Sequence, residues 1–180
     1  MTDPALPLDE DPRFQRLMAR GGIVALPLAA PDAWPHGDLP TGEKQLAVGD
    51  DRLSATYCTL QGHRFLRAHL LLPIKGARTV LGFEAWGSVS EDSWQAWLAA
   101  RARAARFAGA FAWLANALPG LESGEPVACN LVAGSPGGLP RLQPQPGTAL
   151  ARRQEDGLST AELIAVAAAA GREIDTFFDD

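Results

Sequence analysis

The sequence predicts a single α+β domain: an antiparallel meander of about five strands, packed by a long central helix and a C-terminal helix. Three observations predict it. Four β-like runs follow one another at 45–48, 53–60, 63–72 and 78–87, with only short turn-like separators between them. Short connections make consecutive strands antiparallel neighbours. Ser88-Val89-Ser90-Glu91 then reads as a capping box that opens a helix over 88–108, with Ser90 an equal candidate for the cap. Last, Ser159 and Glu162 form a second capping box, with Leu158 and Leu163 as a hydrophobic staple around it.

The elements follow in order. Asp11-Pro12 opens a short helix, with Asp11 as cap and Pro12 at the first helical position. Phe14, Leu17 and Met18 share one face of it, and Gly21-Gly22 stops it. Residues 23–28 are a short β-like run. Residues 30–42 are irregular, because Pro31, Pro35 and Pro40 interrupt any ladder. In the third β run Leu66, Ala68, Leu70 and Leu72 lie on one face, and His63, Phe65, Arg67, His69 and Leu71 on the other. In the fourth, Leu81, Phe83 and Ala85 alternate with Val80, Gly82, Glu84 and Trp86. On the long helix Trp94, Trp97 and Leu98 form the stripe that faces the sheet, while Arg103 and Arg106 face water. Gly109 ends or kinks this helix. Phe111, Trp113, Leu114 and Leu118 suggest another helical turn, ended by Pro119-Gly120. Residues 127–132 are a fifth strand and 139–142 a short last one. Residues 148–155 read as a helix closed by Gly157, and Gly171 closes the terminal helix. The whole divides into an N-terminal helix and Pro-rich segment (1–44), the sheet and helices (45–171) and a tail (172–180).

Composition narrows the function classes. Of 180 residues 47% are hydrophobic and 21% charged, which is ordinary for a folded chain. Sixteen basic and 21 acidic residues give a net charge of −5, which argues against a nucleic-acid partner held by phosphate neutralisation. A basic start followed by an apolar run is missing, and 163–170 is far too short to span a membrane, so the expectation is a cytoplasmic protein with no membrane partner. There the two cysteines, Cys58 and Cys129, stay reduced and serve as small buried side chains. Two cysteines and three histidines give neither a disulfide scaffold nor an ordinary zinc site, so no metal and no cofactor is expected. The Gly-rich stretch 133–138 has no following Lys or helix and is not a phosphate cradle.

The residues from 65 to 157 resemble a bacterial family known as domain of unknown function 2199. The resemblance rests on the order of several blocks: Phe65-Leu66-Arg67, Leu72-Pro73, and Trp86-Gly87-Ser88-Val89-Ser90-Glu91. Trp113-Leu114 with Leu118-Pro119 comes next, then Leu150-Ala151 through Gln154 to Gly157-Leu158. Two departures stand out. Many members begin with a Cys-x-x-Cys-Gly segment, absent here, and the His-Pro before Leu-Ala is replaced by Thr148-Ala149. Glu84 also departs from the small residue usual at its place. The family has no established activity, so the resemblance implies a fold and candidate positions, not a reaction.

No catalytic set emerges. Ser88 and Ser90 are explained by capping; a hairpin register could bring His63 opposite Ser88, but with no obvious acid behind the histidine. His36 stands in a loop. His63 and His69 are six apart on one strand, about 20 Å at ~3.3 Å per residue, and cannot share a metal. Asp50-Asp51, Glu91-Asp92 and Glu155-Asp156 are turn and cap acids, because adjacent side chains point apart. What remains is a candidate binding surface: His63, Phe65, Arg67, His69, Glu84 and Trp86. A hairpin centred on Lys75 and Gly76 sets Arg67 opposite Glu84 and Phe65 opposite Trp86. The expectation is therefore a non-enzymatic interaction or regulatory protein with a protein partner, such as the immunity-type partner of a toxin. The alternative is a small-molecule-binding domain or hydrolase with a cleft over the His63–His69 face. A deep pocket with Arg67 and a histidine favours the alternative; a flat face favours the partner.

Overall fold

The computed structural model describes residues 10, 12–121, 125–135, 137–174 and 176–177. Its helices are α1 (Gln15–Arg20), α2 (Glu91–Ala102), α3 (Ala149–Asp156) and α4 (Thr160–Ala169). Its strands are β1 (Ile23–Pro27), β2 (Gln45–Val48), β3 (Asp51–Ser54), β4 (Tyr57–Leu60), β5 (His63–Pro73), β6 (Val80–Val89), β7 (Ala110–Leu114), β8 (Ala128–Val132) and β9 (Arg141–Pro144). Pro12 opens a 3-10 turn that runs into α1, and Gly21 ends it with φ 65°. The expected cap Asp11 and the side chains of Leu17 and Met18 lie outside what is described; Phe14 is buried.

Strands β2 to β6 form the antiparallel succession that the short connections demand. The run 53–60 is two strands rather than one. Ser54 Oγ accepts from the amides of Thr56 and Tyr57, at 3.2 and 3.0 Å, and this local turn breaks the ladder.

The sheet is not a simple meander. It closes into a five-stranded barrel, β5-β6-β7-β8-β9, with β9 running parallel to β5. Extra strands hang from it: β1 beside β6, in parallel, and β4-β3-β2 beside β5. Closure depends on β5 changing partner along one edge. Its start pairs with β4, and from His69 onward the edge passes to β9. The amides show the switch: Arg67 N–H donates to Thr56 and His69 N–H to Pro140. Strand β6 does likewise, pairing first with β1 and then with β7.

Barrel side chains alternate as strands require. Leu66, Ala68 and Leu70 of β5 meet Phe83, Ala85, Ala112, Cys129, Leu131 and Leu142 inside. The interior is narrow. A side chain at Gly87 would stand 3.1 Å from Ala112 Cβ and 3.3 Å from Leu142 Cδ2. Helices α3 and α4 close the core with Leu150, Leu163 and Val166, and the connection between them adds Leu158. At Gly120, with φ 73°, an added Cβ would strike the α4 backbone at Ala165 and Val166.

The β5–β6 hairpin keeps the expected faces but not the expected register. Arg67 stands opposite Trp86, and Glu84 opposite His69; Phe65 meets Ser88, not Trp86. The two-residue slip preserves the faces because strand side chains repeat every two residues. Its cause lies in the loop. Ile74 is drawn into the core and bridged to Leu158, so the turn is wider than a five-residue one.

Three helical expectations are corrected. The central helix spans Glu91–Ala102 rather than 88–108, and its cap is Ser90, which accepts from Ser93 N–H. Ser88 belongs to β6, and Glu91 is the first helical residue rather than the partner of a Ser88 cap. The helix stops at a residue with no glycine to announce it. Ala104 takes φ 49°, with its N–H on Arg101 and that of Ala105 on Ala100. Next, Trp94 is buried and Trp97 half-buried, but Leu98 is 37% exposed and lies off the buried stripe. Finally, 110–114 is a strand, β7, not a helical turn: Ala112 points inward, Phe111 and Trp113 outward. The terminal capping box is present as expected, with Ser159 and Glu162 bonded reciprocally. Phe177, within the expected tail, packs into the core.

Candidate functional site

The outer face of the β5–β6 hairpin carries the six residues that the sequence singles out. The structure does not leave them as one open surface. Trp86 is fully buried and Phe65 nearly so, in a second core with Trp34, Leu53, Cys58 and Leu60. The Pro-rich segment supplies Trp34, whose indole donates to Gly37 carbonyl at 2.7 Å. The Trp86 indole donates to Leu28 carbonyl at 2.9 Å, so its polar edge is satisfied inside. Two of the six are thus structural, because the chain folds back over them.

Arg67 lies at the edge of this cover. Its Nη2 is 2.9 Å from Glu84 Oε2, reached diagonally rather than straight across. Its guanidinium stands 5.7 Å over the Trp86 ring. His69 is half-buried and His63 exposed. His63 pairs with Leu60 and does not face Ser88, which meets Phe65 and Trp113. Among the described residues no hydrogen bond joins Ser88 to a histidine; the histidine side-chain bond they show is from His36 to Asp51.

Other groups that sequence reasoning raised have structural roles. The Cys58 and Cys129 thiols are buried, and burial pushes both pKa values up to about 12. Neither is a thiolate at neutral pH. Asp51 accepts from Gln61 N–H and from His36 Nε2, each at 2.9 Å, and these bonds hold its carboxyl below the ordinary range. Glu91 accepts from Gln95 and Arg64, which lower its pKa in turn. Among the described residues no group of three or more His, Cys, Asp or Glu side chains is gathered as metal ligands would be. Nor is any helix among them long and apolar enough to cross a membrane.

An open aromatic face lies on β7, the segment whose sequence reads as a helical turn. Phe111 and Trp113 project from β7 with 45% and 46% of their surface exposed, edge to face at 5.2 Å. Their ladder neighbours are uncharged: Ser88 and Ala128 beside Trp113, Asn130 beside Phe111, then Gln143 beyond Asn130. Arg141 of β9 is exposed at the far side. The helical reading hid this pair. The period-2 alternation Ala110, Ala112, Leu114 against Phe111, Trp113 is the signal that finds it.

A family model described as an uncharacterized protein conserved in bacteria, DUF2199, matches residues 20–158. The chain belongs to the DUF2199 family. No curated protein and no solved structure matches it. Most residues that tie the chain to DUF2199 prove to hold this fold together. Leu150, Ala151 and Leu158 are buried, and Gln154 Nε2 donates to the Leu71 carbonyl at 3.1 Å. Pro73 carbonyl receives Leu158 N–H at 2.7 Å. Thr148, in place of the family's His-Pro, caps α3 by accepting from Ala151 N–H. Trp113 differs from these DUF2199 residues: it is exposed on the outer face of β7.

Proposed function

We propose that this DUF2199 protein is a non-enzymatic interaction protein of the bacterial cytoplasm, and that it docks a protein partner on the outer face of β7 and β8. The observation that carries the reading is the exposed Phe111–Trp113 pair. The chain covers the aromatic residues on the β5–β6 face with its own Trp34 but leaves this pair open. Exposed aromatics are the residues that most often anchor protein interfaces. The uncharged flank of Ser88, Ala128, Asn130 and Gln143 suits an interface core, where charge is costly to desolvate. Arg141 suits the rim. His63 and His69 have no part in this surface. The alternative, a small-molecule site or hydrolase over the His63–His69 face, finds no support: neither described cavity is lined by His63, Arg67 or His69.

Affinity capture from the native bacterial cytosol tests the reading. The wild type is compared with Phe111→Asp/Trp113→Asp and with Ile23→Asp, an exposed apolar residue on β1. The expected result is a stoichiometric partner held by the wild type and Ile23→Asp and lost by the double variant. Equal retention by all three contradicts the reading, as does a doubled mass showing that the face joins two copies of this chain.

A further inference from the structure

A cavity of about 960 Å³ opens at the opposite end of α2 from its Ser90 cap, between the C-terminal end of that helix, the β3–β4 turn and the loop residues 133–135 and 137–140. Its walls are of two kinds. Trp97, Phe107 and Leu139 give it an apolar body, and Arg101 and Arg106 give it cations. No lining residue is a carboxylate, in a chain whose net charge is −5. Arg101 forms no ion pair with any described carboxylate. Its position is nevertheless fixed. The guanidinium stands 5.1 Å over Trp97 and 5.8 Å over Tyr57, and Nη1 donates to Thr56 Oγ1 at 3.3 Å. Thr56 is fixed in turn, through its carbonyl to Arg67 N–H at 3.0 Å and its own N–H to Ser54 Oγ.

We propose that this cleft binds a small organic anion, an aromatic or branched apolar monocarboxylate, with the acid on Arg101 and the apolar body against Trp97, Phe107 and Leu139. A guanidinium offers five N–H donors in a planar fork that matches a carboxylate. Here stacking and the Thr56 bond pre-set the fork and leave donors to spare. Arg101, with no ion-pair partner among the described carboxylates, supplies the charge complement, and the cavity lies at the upper end of the ordinary size range for small-molecule sites. Arg106, on the irregular segment after α2, adds a second positive charge at the mouth. The site is separate from the Phe111–Trp113 face and does not depend on it.

The probe is 1-anilinonaphthalene-8-sulfonate, an aromatic anion whose emission rises in apolar surroundings, with the uncharged N-phenyl-1-naphthylamine as its match. The proposal expects saturable one-to-one binding of the sulfonate. Arg101→Gln is expected to weaken it about tenfold or more, since a bond to a charged group is lost. Arg103→Gln, outside the cleft, and Trp113→Ser should leave it unchanged. The uncharged probe should be insensitive to Arg101→Gln, and Ala100→Trp, which fills the cleft, should abolish both. Amide shifts at Thr56, Arg101 and Leu139 on adding the sulfonate place the site. The proposal is overturned if Arg101→Gln binds as Arg103→Gln does, if Ala100→Trp still binds, or if Trp113→Ser removes the signal. All variants must melt as the wild type does, and each change sits on an exposed or half-exposed position.

Discussion

The Trp86 amide lies where β1 leaves the edge of β6 and β7 takes it over. Asn116 pairs with it: Oδ1 accepts from Trp86 N–H at 2.8 Å, and Nδ2 donates to Ala30 carbonyl and Asp32 Oδ1, both at 2.9 Å. Asp32 Oδ2 receives Ala117 N–H at 2.6 Å. One buried amide thus satisfies the seam between strands and ties the Pro-rich segment to it. Asn116→Ala should cost about 1–3 kcal/mol, because the Trp86 amide is left buried and unpaired; a denaturant midpoint equal to the wild type would refute that. Asn116 was not legible in the sequence, since its partners stand 30 to 86 positions away. Arg67 and Glu84 were partly legible. Alternation put them on one face, and an ion pair forms there, but no local signal fixed the loop width that sets the register. Trp94 was also legible from helical spacing. Trp94→Ala should lower stability by about 3–5 kcal/mol. Trp97→Ala should cost less, because Trp97 is only half-buried, packed against the edge of the core while it lines the open cleft.

Helix ends show which local signals survive folding. Ser159 and Glu162 form their box because both partners lie within four residues, where tertiary context has little to overrule. Ser159→Ala should cost about 0.5–2 kcal/mol in chemical denaturation. Glu162 gives this cap a pH dependence. Burial pushes its pKa up, but the bonds from Arg153, at 2.7 Å, and from Ser159 outweigh it, so the folded value lies below the ordinary 4.5. The carboxylate therefore stabilises the fold above pH 4.5, and that contribution is lost as pH falls through the folded value. Glu162→Gln should flatten the fall in Tm on acidification; an unchanged pH profile would show that the pair contributes nothing. The end of α2 was illegible for the opposite reason. Residues 99–105 are mostly alanine and read as continuing helix, yet Ala104 is turned to φ 49° so that Phe107 and Ala110 can reach the core. A left-handed alanine is strained, so Ala104→Gly should stabilise the fold by about 1 kcal/mol, read as a rise in the denaturant midpoint.

At the scale of the molecule, barrel closure separates what the sequence reading expected from what forms. The antiparallel order of β2 to β6 follows from short connections, which a sequence displays. The β5–β9 contact joins residues more than seventy positions apart, and the exchange of partners at Arg67 and His69 leaves no mark on the hydrophobic pattern. Closure also decides which surfaces survive. It turns Ala112 and Cys129 inward and Phe111 and Trp113 outward, while the Pro-rich segment buries Phe65 and Trp86. The docking surface we propose therefore lies on β7 and β8 rather than on the hairpin. The most direct measurement is in-cell photo-crosslinking with benzoylphenylalanine placed at Phe111, and at Ile23 as the exposed apolar control. The account expects one discrete heavier adduct from position 111, absent from position 23 and lost when Trp113→Asp is added. No adduct at 111, or the same adducts from both positions, would contradict it.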